Sequence, residues 1–135
     1  MSKGVDIAEY DGPGYKALLE TDGDWIAALM NGTPDSWAAP ALLEKHNLTD
    51  ELFVLVSGQG CLVLGGDGEQ LGELDVLPMK QGTLYNVKRG TWHANPMTPD
   101  GKMVIIERNP KGIEKGFTTR VDLTAEQREA IRLSG

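Results

Sequence analysis

The stretch EKHNLTDELFVLVSG, residues 44–58, sets a histidine among acids directly ahead of the apolar run Phe53-Val54-Leu55-Val56. Successive strand residues point to opposite faces, so Glu51, Phe53 and Leu55 share one face, and Glu44 and His46 share a face on the segment before them. If Phe53 and Leu55 face an interior, Glu51 faces it too. A lone ionised carboxylate among apolar side chains costs about several kcal/mol or is driven neutral unless a cation or donors compensate it. A bound divalent ion is such a compensator.

Outward from this stretch, apolar runs separated by glycine-bearing turns continue the pattern: ALLEKH, ELFVLVS, CLVLGG, LDVLPM, TLYNVK and MVIIER. Many short strands at this spacing predict an all-β sandwich or barrel. The 17 glycines and 7 prolines suit tight turns better than a helical bundle. Ser57-Gly58-Gln59-Gly60 reads as a hairpin turn, as does Gly65-Gly66-Asp67-Gly68, which lacks the lysine and helix of a phosphate loop. Tyr15–Glu20 and Trp25–Met30 suit strands or short helices, and strands added to the sheet are expected. Thr124-Ala125-Glu126-Gln127 has capping-box spacing ahead of a short C-terminal helix.

The 135 residues suit one domain, expected over 1–135. A formal charge of −7 repels phosphate backbones and anionic membrane surfaces, so neither nucleic acid nor a membrane is an expected partner. Cys61 is the only cysteine and lies in an apolar run with no adjacent base, which reads as a small buried residue. The opening MSKGVDIAEY has no apolar stretch of signal-peptide type, so the cytoplasm is the expected compartment.

His46, Glu51 and Gly58 fall on the second histidine, the glutamate and the closing glycine of the first cupin motif, with Glu44 in place of its first histidine and Ala38 in place of its leading glycine. Gly82, Gly90 and His93 match the second motif, in which Lys88 stands for the proline and Met97 for the asparagine. The chain thus resembles the cupins across residues 44–97, which implies a double-stranded β-helix, or jelly roll. The chain has only two histidines, and both fall where cupins keep metal ligands. The resemblance also implies a homodimer paired through its sheets. Inside it, Glu44-Lys45-His46 with Phe53, and Gln81-Gly82-Thr83 with Tyr85 leading to Thr91-Trp92-His93, resemble stretches of ureidoglycolate lyases, cupin-fold enzymes that split ureidoglycolate into glyoxylate and urea.

Imidazoles from His46 and His93 with carboxylates from Glu51 and Glu44 form a set suited to Mn, Fe, Ni or Zn. Without Glu44, two histidines and one carboxylate leave open positions for substrate or oxygen. With Glu44, the ion is formally neutralised and favours polarising a chelated hydroxy acid or carbonyl over making hydroxide. For such a substrate, Lys88, Arg89 or Arg108 is a carboxylate partner, Tyr85 a neutral proton donor or acceptor, and Trp92 a wall. As bland readings, Lys88-Arg89 is a solvated turn, and Tyr85 and Trp92 are packing residues. The expected function is a metal-dependent enzyme acting on a small polar carboxylate or hydroxy-acid metabolite by lyase- or isomerase-type chemistry. A non-catalytic ligand-binding or sensing cupin and an iron-dependent oxygenase are the alternatives.

Overall fold

The computed structural model describes residues 4–108 and 118–131. The described strands are β1 (Gly14–Thr21), β2 (Trp25–Asn31), β3 (Leu42–His46), β4 (Glu51–Ser57), β5 (Cys61–Leu64), β6 (Asp75–Pro78), β7 (Leu84–Val87), β8 (His93–Ala94), β9 (Lys102–Arg108) and β10 (Thr118–Asp122), followed by the helix α1 (Ala125–Ala130). One sheet runs β1-β2-β9-β4-β7 and the other β10-β3-β8-β5-β6. Every strand pairing is antiparallel. The two sheets pack face to face as the jelly-roll barrel of the cupin double-stranded β-helix expected from the sequence.

Alternation sets the interior. Phe53 and Leu55 of β4 and Met103 and Ile105 of β9 meet Leu62 and Met97 from the opposite sheet in one buried cluster. A second cluster, Leu43, Cys61, Val63, Trp92, Leu123 and Ile131, takes the alternate residues of the β3–β8–β5 sheet. Cys61, Leu62 and Val63 are therefore all buried, as in a strand covered on both faces. Burial pushes the Cys61 thiol up to about 11, so it behaves as the small buried residue expected. Helix α1 buries no residue of its own; Leu123 and Ile131, on either side of it, pin it to this second cluster. Its capping box is formed, with Gln127 N donating to Thr124 Oγ1 and Thr124 N to Gln127 Oε1.

The two N-terminal runs are strands, as expected, paired as β1 and β2 with a register shift between Ala17 and Leu19. Gly65–Gly68 opens a hairpin whose connection extends to β6. Ser57–Gly60, in contrast, is not a hairpin turn. It carries the chain from β4 in one sheet to β5 in the other. Gly58 sits there at φ +70°, and a Cβ on it would lie 2.7 Å from Gly101 Cα. The crossing needs both a left-handed residue and the absence of a side chain. Strand β10 was not foreseen, because Thr118–Asp122 is only partly buried and carries no apolar run.

No helix among the described residues is long and apolar enough to cross a membrane.

Candidate functional site

Four strands deliver acids and imidazoles to one point inside the barrel. Glu51 opens β4 and lies directly opposite Glu107 on β9, so two carboxylates stand side by side in one sheet. Facing them, Glu44 on β3 lies opposite His93 on β8, and His46 ends β3. Local hydrogen bonds fix these strand ends. Gly90 N donates to His46 O at 2.7 Å, and Asp50 Oδ1 accepts from Arg89 N at 2.8 Å, joining the β3–β4 connection to the β7–β8 turn. The Arg89 backbone bond and the Asn86 side chain hold the Asp50 carboxyl below its ordinary range.

Glu51 Oε1 lies 3.1 Å from His46 Nε2 and 3.0 Å from His93 Nε2. Glu107 Oε2 is 3.5 Å and Glu44 Oε1 3.7 Å from His46 Nε2. The other ring nitrogens face outward from this point: His93 Nδ1 is 2.9 Å from Thr91 O, and His46 Nδ1 is 3.0 Å from Thr118 Oγ1. A carbonyl only accepts, so His93 Nδ1 carries hydrogen. In the neutral ring, Nε2 then points a lone pair at Glu51 Oε1. A proton or a metal ion must lie between them.

Burial alone would raise the Glu51 carboxyl, but hydrogen bonds from His46 and His93 outweigh it and bring it down to about 2. Glu107 goes the other way: burial, then the charge of Glu51, pushes it up to about 7. Its Oε2 is buried without a hydrogen-bond partner, the 3.5 Å approach to His46 lacking hydrogen-bond geometry. Burial works against a charged His46, yet the Glu51 hydrogen bond and the Glu51, Glu107 and Glu44 charges raise it.

The arrangement fits a divalent ion. Two carboxylates directly opposite on neighbouring strands repel unless a cation or proton separates them, and Glu107 Oε2 needs a partner. Two atoms that ligate one ion at about 2.0–2.2 Å lie about 3–3.5 Å apart, close to the spacing around Glu51 Oε1. The ligand atoms of Glu44, His46 and His93, and those of His46, Glu51 and Glu107, each lie within 4.8 Å of one another. Two imidazoles and hard carboxylate oxygens suit Mn, Fe, Ni or Zn. His93 Nδ1 on a backbone carbonyl is the outer support that ligating histidines usually have.

The point opens into a cavity of about 340 Å³ lined by Tyr15, Met30, Glu44, His46, Glu51, Phe53, Asn95, Ile105 and Glu107. Burial and the charges of Glu107 and Glu51 raise the Tyr15 hydroxyl. A larger depression, about 420 Å³, is lined by Asp11, Asn31, Asp100, Lys102 and neighbours and contains no imidazole.

Of the residues singled out in the sequence, Glu44, His46, Glu51 and His93 come together. Tyr85, Lys88 and Arg108 do not join them. Tyr85 packs on the inner cluster, its hydroxyl accepts from Lys80 N at 2.9 Å, and with Lys88 it lines a separate depression against Leu62 and Leu77. Arg108 follows Glu107 and so points to the opposite face, where its Nε donates to Gly23 O and it lines a depression with Trp25 and Arg89. Trp92 alternates with His93 and is buried in the second cluster, with Lys45 Nζ 4.6 Å above its ring. It is a packing residue rather than a cavity wall. Glu107 was missed, although alternation from Met103 and Ile105 puts it on the inward face. Tyr15 was missed because nothing local says that β1 passes the cavity mouth.

No protein-family model matches the chain, and no curated protein matches it in sequence. Solved structures do resemble it. The capsular polysaccharide assembling protein CapF from Staphylococcus aureus matches 85% of this chain and 34% of its own at 14% identity and a TM-score of 0.59. A variant of PAC13 from Streptomyces with uridine matches 87% of this chain and 86% of its own at 14% identity and a TM-score of 0.57. Protein NMB1881 from Neisseria meningitidis matches 76% and 89% at 18% identity and a TM-score of 0.51. At these identities the likeness establishes a shared jelly-roll fold.

Proposed function

We propose that this chain is a small metal-binding cupin enzyme that moves a proton on a small polar metabolite, in lyase- or isomerase-type chemistry. The observation that carries it is the inward pairing of Glu51 with Glu107 beneath two imidazoles, an arrangement that is costly in an empty barrel and favourable around a divalent cation. His46, His93 and Glu51 would hold the ion, with Glu44 and Glu107 flanking them. When bound, a divalent transition metal ion supplies Lewis acidity toward a carbonyl or hydroxyl oxygen.

The protein's own groups divide the remaining work. Phe53, Ile105 and Met30 form the apolar wall that orients the ligand and excludes water. Glu107 lines the cavity, with its Oε2 buried beside His46 and without a hydrogen-bond partner, and its carboxyl is the group placed to take or return a proton. Tyr15, at the mouth and about half exposed, is the one hydroxyl among the described residues that line the cavity. Thr118 and the Thr91 carbonyl keep both Nε2 atoms turned inward.

The test has two stages. Titration of metal-free protein with Mn, Fe(II), Ni and Zn should give one ion per chain, lost in His93→Ala. Any turnover found across a panel of small polar metabolites that includes ureidoglycolate should require that ion. A chain that binds no ion and is indifferent to chelator would remove the metal chemistry, and bound ion without turnover would leave a binding module.

A homodimer is part of the proposal. On the outward face of the first sheet, Leu29, Val104, Val54 and Leu84 stand opposite one another in one row across four strands. Leu84 is 69% exposed at the end of that row, and apolar rows of this kind favour a second copy.

A further inference from the structure

We infer that the ligand of this cavity is a neutral, hydroxyl-rich compound of sugar or polyol type, and not a hydroxy acid or a phosphate. The inference rests on the proposal that this cavity is the functional site, and it refines the substrate class.

Where a protein's own groups hold a carboxylate or phosphate, they are arginine forks, lysines or helix N-termini. Among the described residues, the cavity lining contains no lysine or arginine. The basic side chains from which a carboxylate partner was expected lie elsewhere: Lys88 beside Tyr85, and Arg89 and Arg108 beside Trp25. Arg120, which is largely solvent-exposed, has its Nε 3.3 Å from Glu44 Oε2 and is paired with that carboxylate rather than lining the cavity. Helix α1 is attached to the second cluster, on the other face of its sheet from the cavity.

What the cavity offers instead is acceptors. Glu44, Glu51 and Glu107 outnumber the two charges of one divalent ion, so the site does not become net positive when loaded. Ionised carboxylates only accept hydrogen bonds, and Glu44, with its side chain about a third exposed, and Glu107 line the cavity. A ligand carrying several hydroxyl donors satisfies these oxygens; an anion adds one more negative group to them. Phe53, Ile105 and Met30 provide apolar surface for the C–H groups of such a ligand, and Asn95 adds an amide. A volume of about 340 Å³ is at the small end for ligand pockets, which suits one ring or a short chain rather than a nucleotide.

The experiment is calorimetric titration of wild-type protein, metal-free and Mn-loaded, with a matched panel: D-ribose, ribitol, D-ribonate, ribose 5-phosphate and ureidoglycolate. At least one neutral member should bind about tenfold or more tighter than ribonate, ribose 5-phosphate and ureidoglycolate. The gap should narrow in Glu44→Gln, with circular dichroism checking its fold. Equal or tighter binding of any of the three anions, or no binding of either neutral compound, overturns the inference. The Mn isotherm is read separately: no Mn uptake with the neutral preference intact would sink the metal proposal alone, and Mn uptake with an anion preference would sink this inference alone.

Discussion

His46 and His93, from distant parts of the chain but on the neighbouring strands β3 and β8, bring their ring centroids to 5.4 Å and turn both Nε2 atoms across the barrel onto the same oxygen of Glu51. Glu51 is the centre of this relationship, since its low pKa depends on both rings. His93→Ala removes one donor from a carboxylate that is only 7% exposed. The metal-free variant should lose about 1–3 kcal/mol of stability, and it should lose stoichiometric Mn or Zn uptake. Chemical denaturation with metal titration checks both, and a variant that keeps wild-type uptake would remove His93 from the ligand set.

The metal-free protein should be most stable in mildly acid solution. Glu107 has its folded pKa raised from 4.5 to about 7, so its contribution is complete below about pH 4.5 and is lost as pH rises through 7. A raised His46 loses its contribution in the same direction, above its ordinary 6.5. Glu51 acts oppositely: lowered to about 2, it contributes fully above pH 4.5 and loses this as pH falls toward 2. Stability should therefore fall between pH 5.5 and 8 by up to about 3 kcal/mol, and the melting temperature with it. Saturating divalent metal should flatten or reverse that slope, because binding requires the deprotonated groups. Scanning calorimetry across this range, with and without metal, is the measurement; a metal-free profile that rises with pH would contradict the site's electrostatics.

Much of the fold was legible because period-two alternation is local: Phe53 and Leu55 declare the inward face of β4, and Glu51 inherits it. The same rule, applied to Met103 and Ile105, would have found Glu107 and turned Arg108 outward. Chemistry and nearness to the motifs in sequence single out Tyr85, Lys88 and Arg108, but neither determines the cavity that a side chain reaches. The Ser57–Gly60 turn shows a different limit. Its glycines announce a reversal, but which sheet receives the next strand is decided by packing of Cys61–Leu64 against β6 and β8. The Gly58 position matches its motif for a backbone reason, whereas His46 and Glu51 match theirs through side chains.

That backbone reason gives a paired prediction. Gly58 and Gly66 both have positive φ, +70° and +80°, but a Cβ at Gly58 meets Gly101, Thr98 and Asp100 within 2.8 Å, whereas at Gly66 nothing lies within 4 Å. Gly66→Ala should cost about 1 kcal/mol from backbone strain alone. Gly58→Ala adds a clash with backbone and should cost clearly more, about 2–4 kcal/mol. Urea denaturation of the two variants orders them; equal losses would mean that the crossing between sheets relaxes freely.

The outward row of the first sheet sets the last expectation. Leu29, Val104, Val54 and Leu84 face away from the barrel, opposite the face that carries Phe53 and Ile105, so changing them leaves the cavity lining untouched. Leu84 lies on the edge strand β7, where a lysine also discourages strand-to-strand pairing. If two copies cover this row, Leu84→Lys should shift sedimentation from dimer to monomer while metal uptake per chain stays at the wild-type value. A wild-type chain that sediments as a monomer at micromolar concentration would leave the row without an occupant, and a dimer unaffected by Leu84→Lys would place the contact on another face.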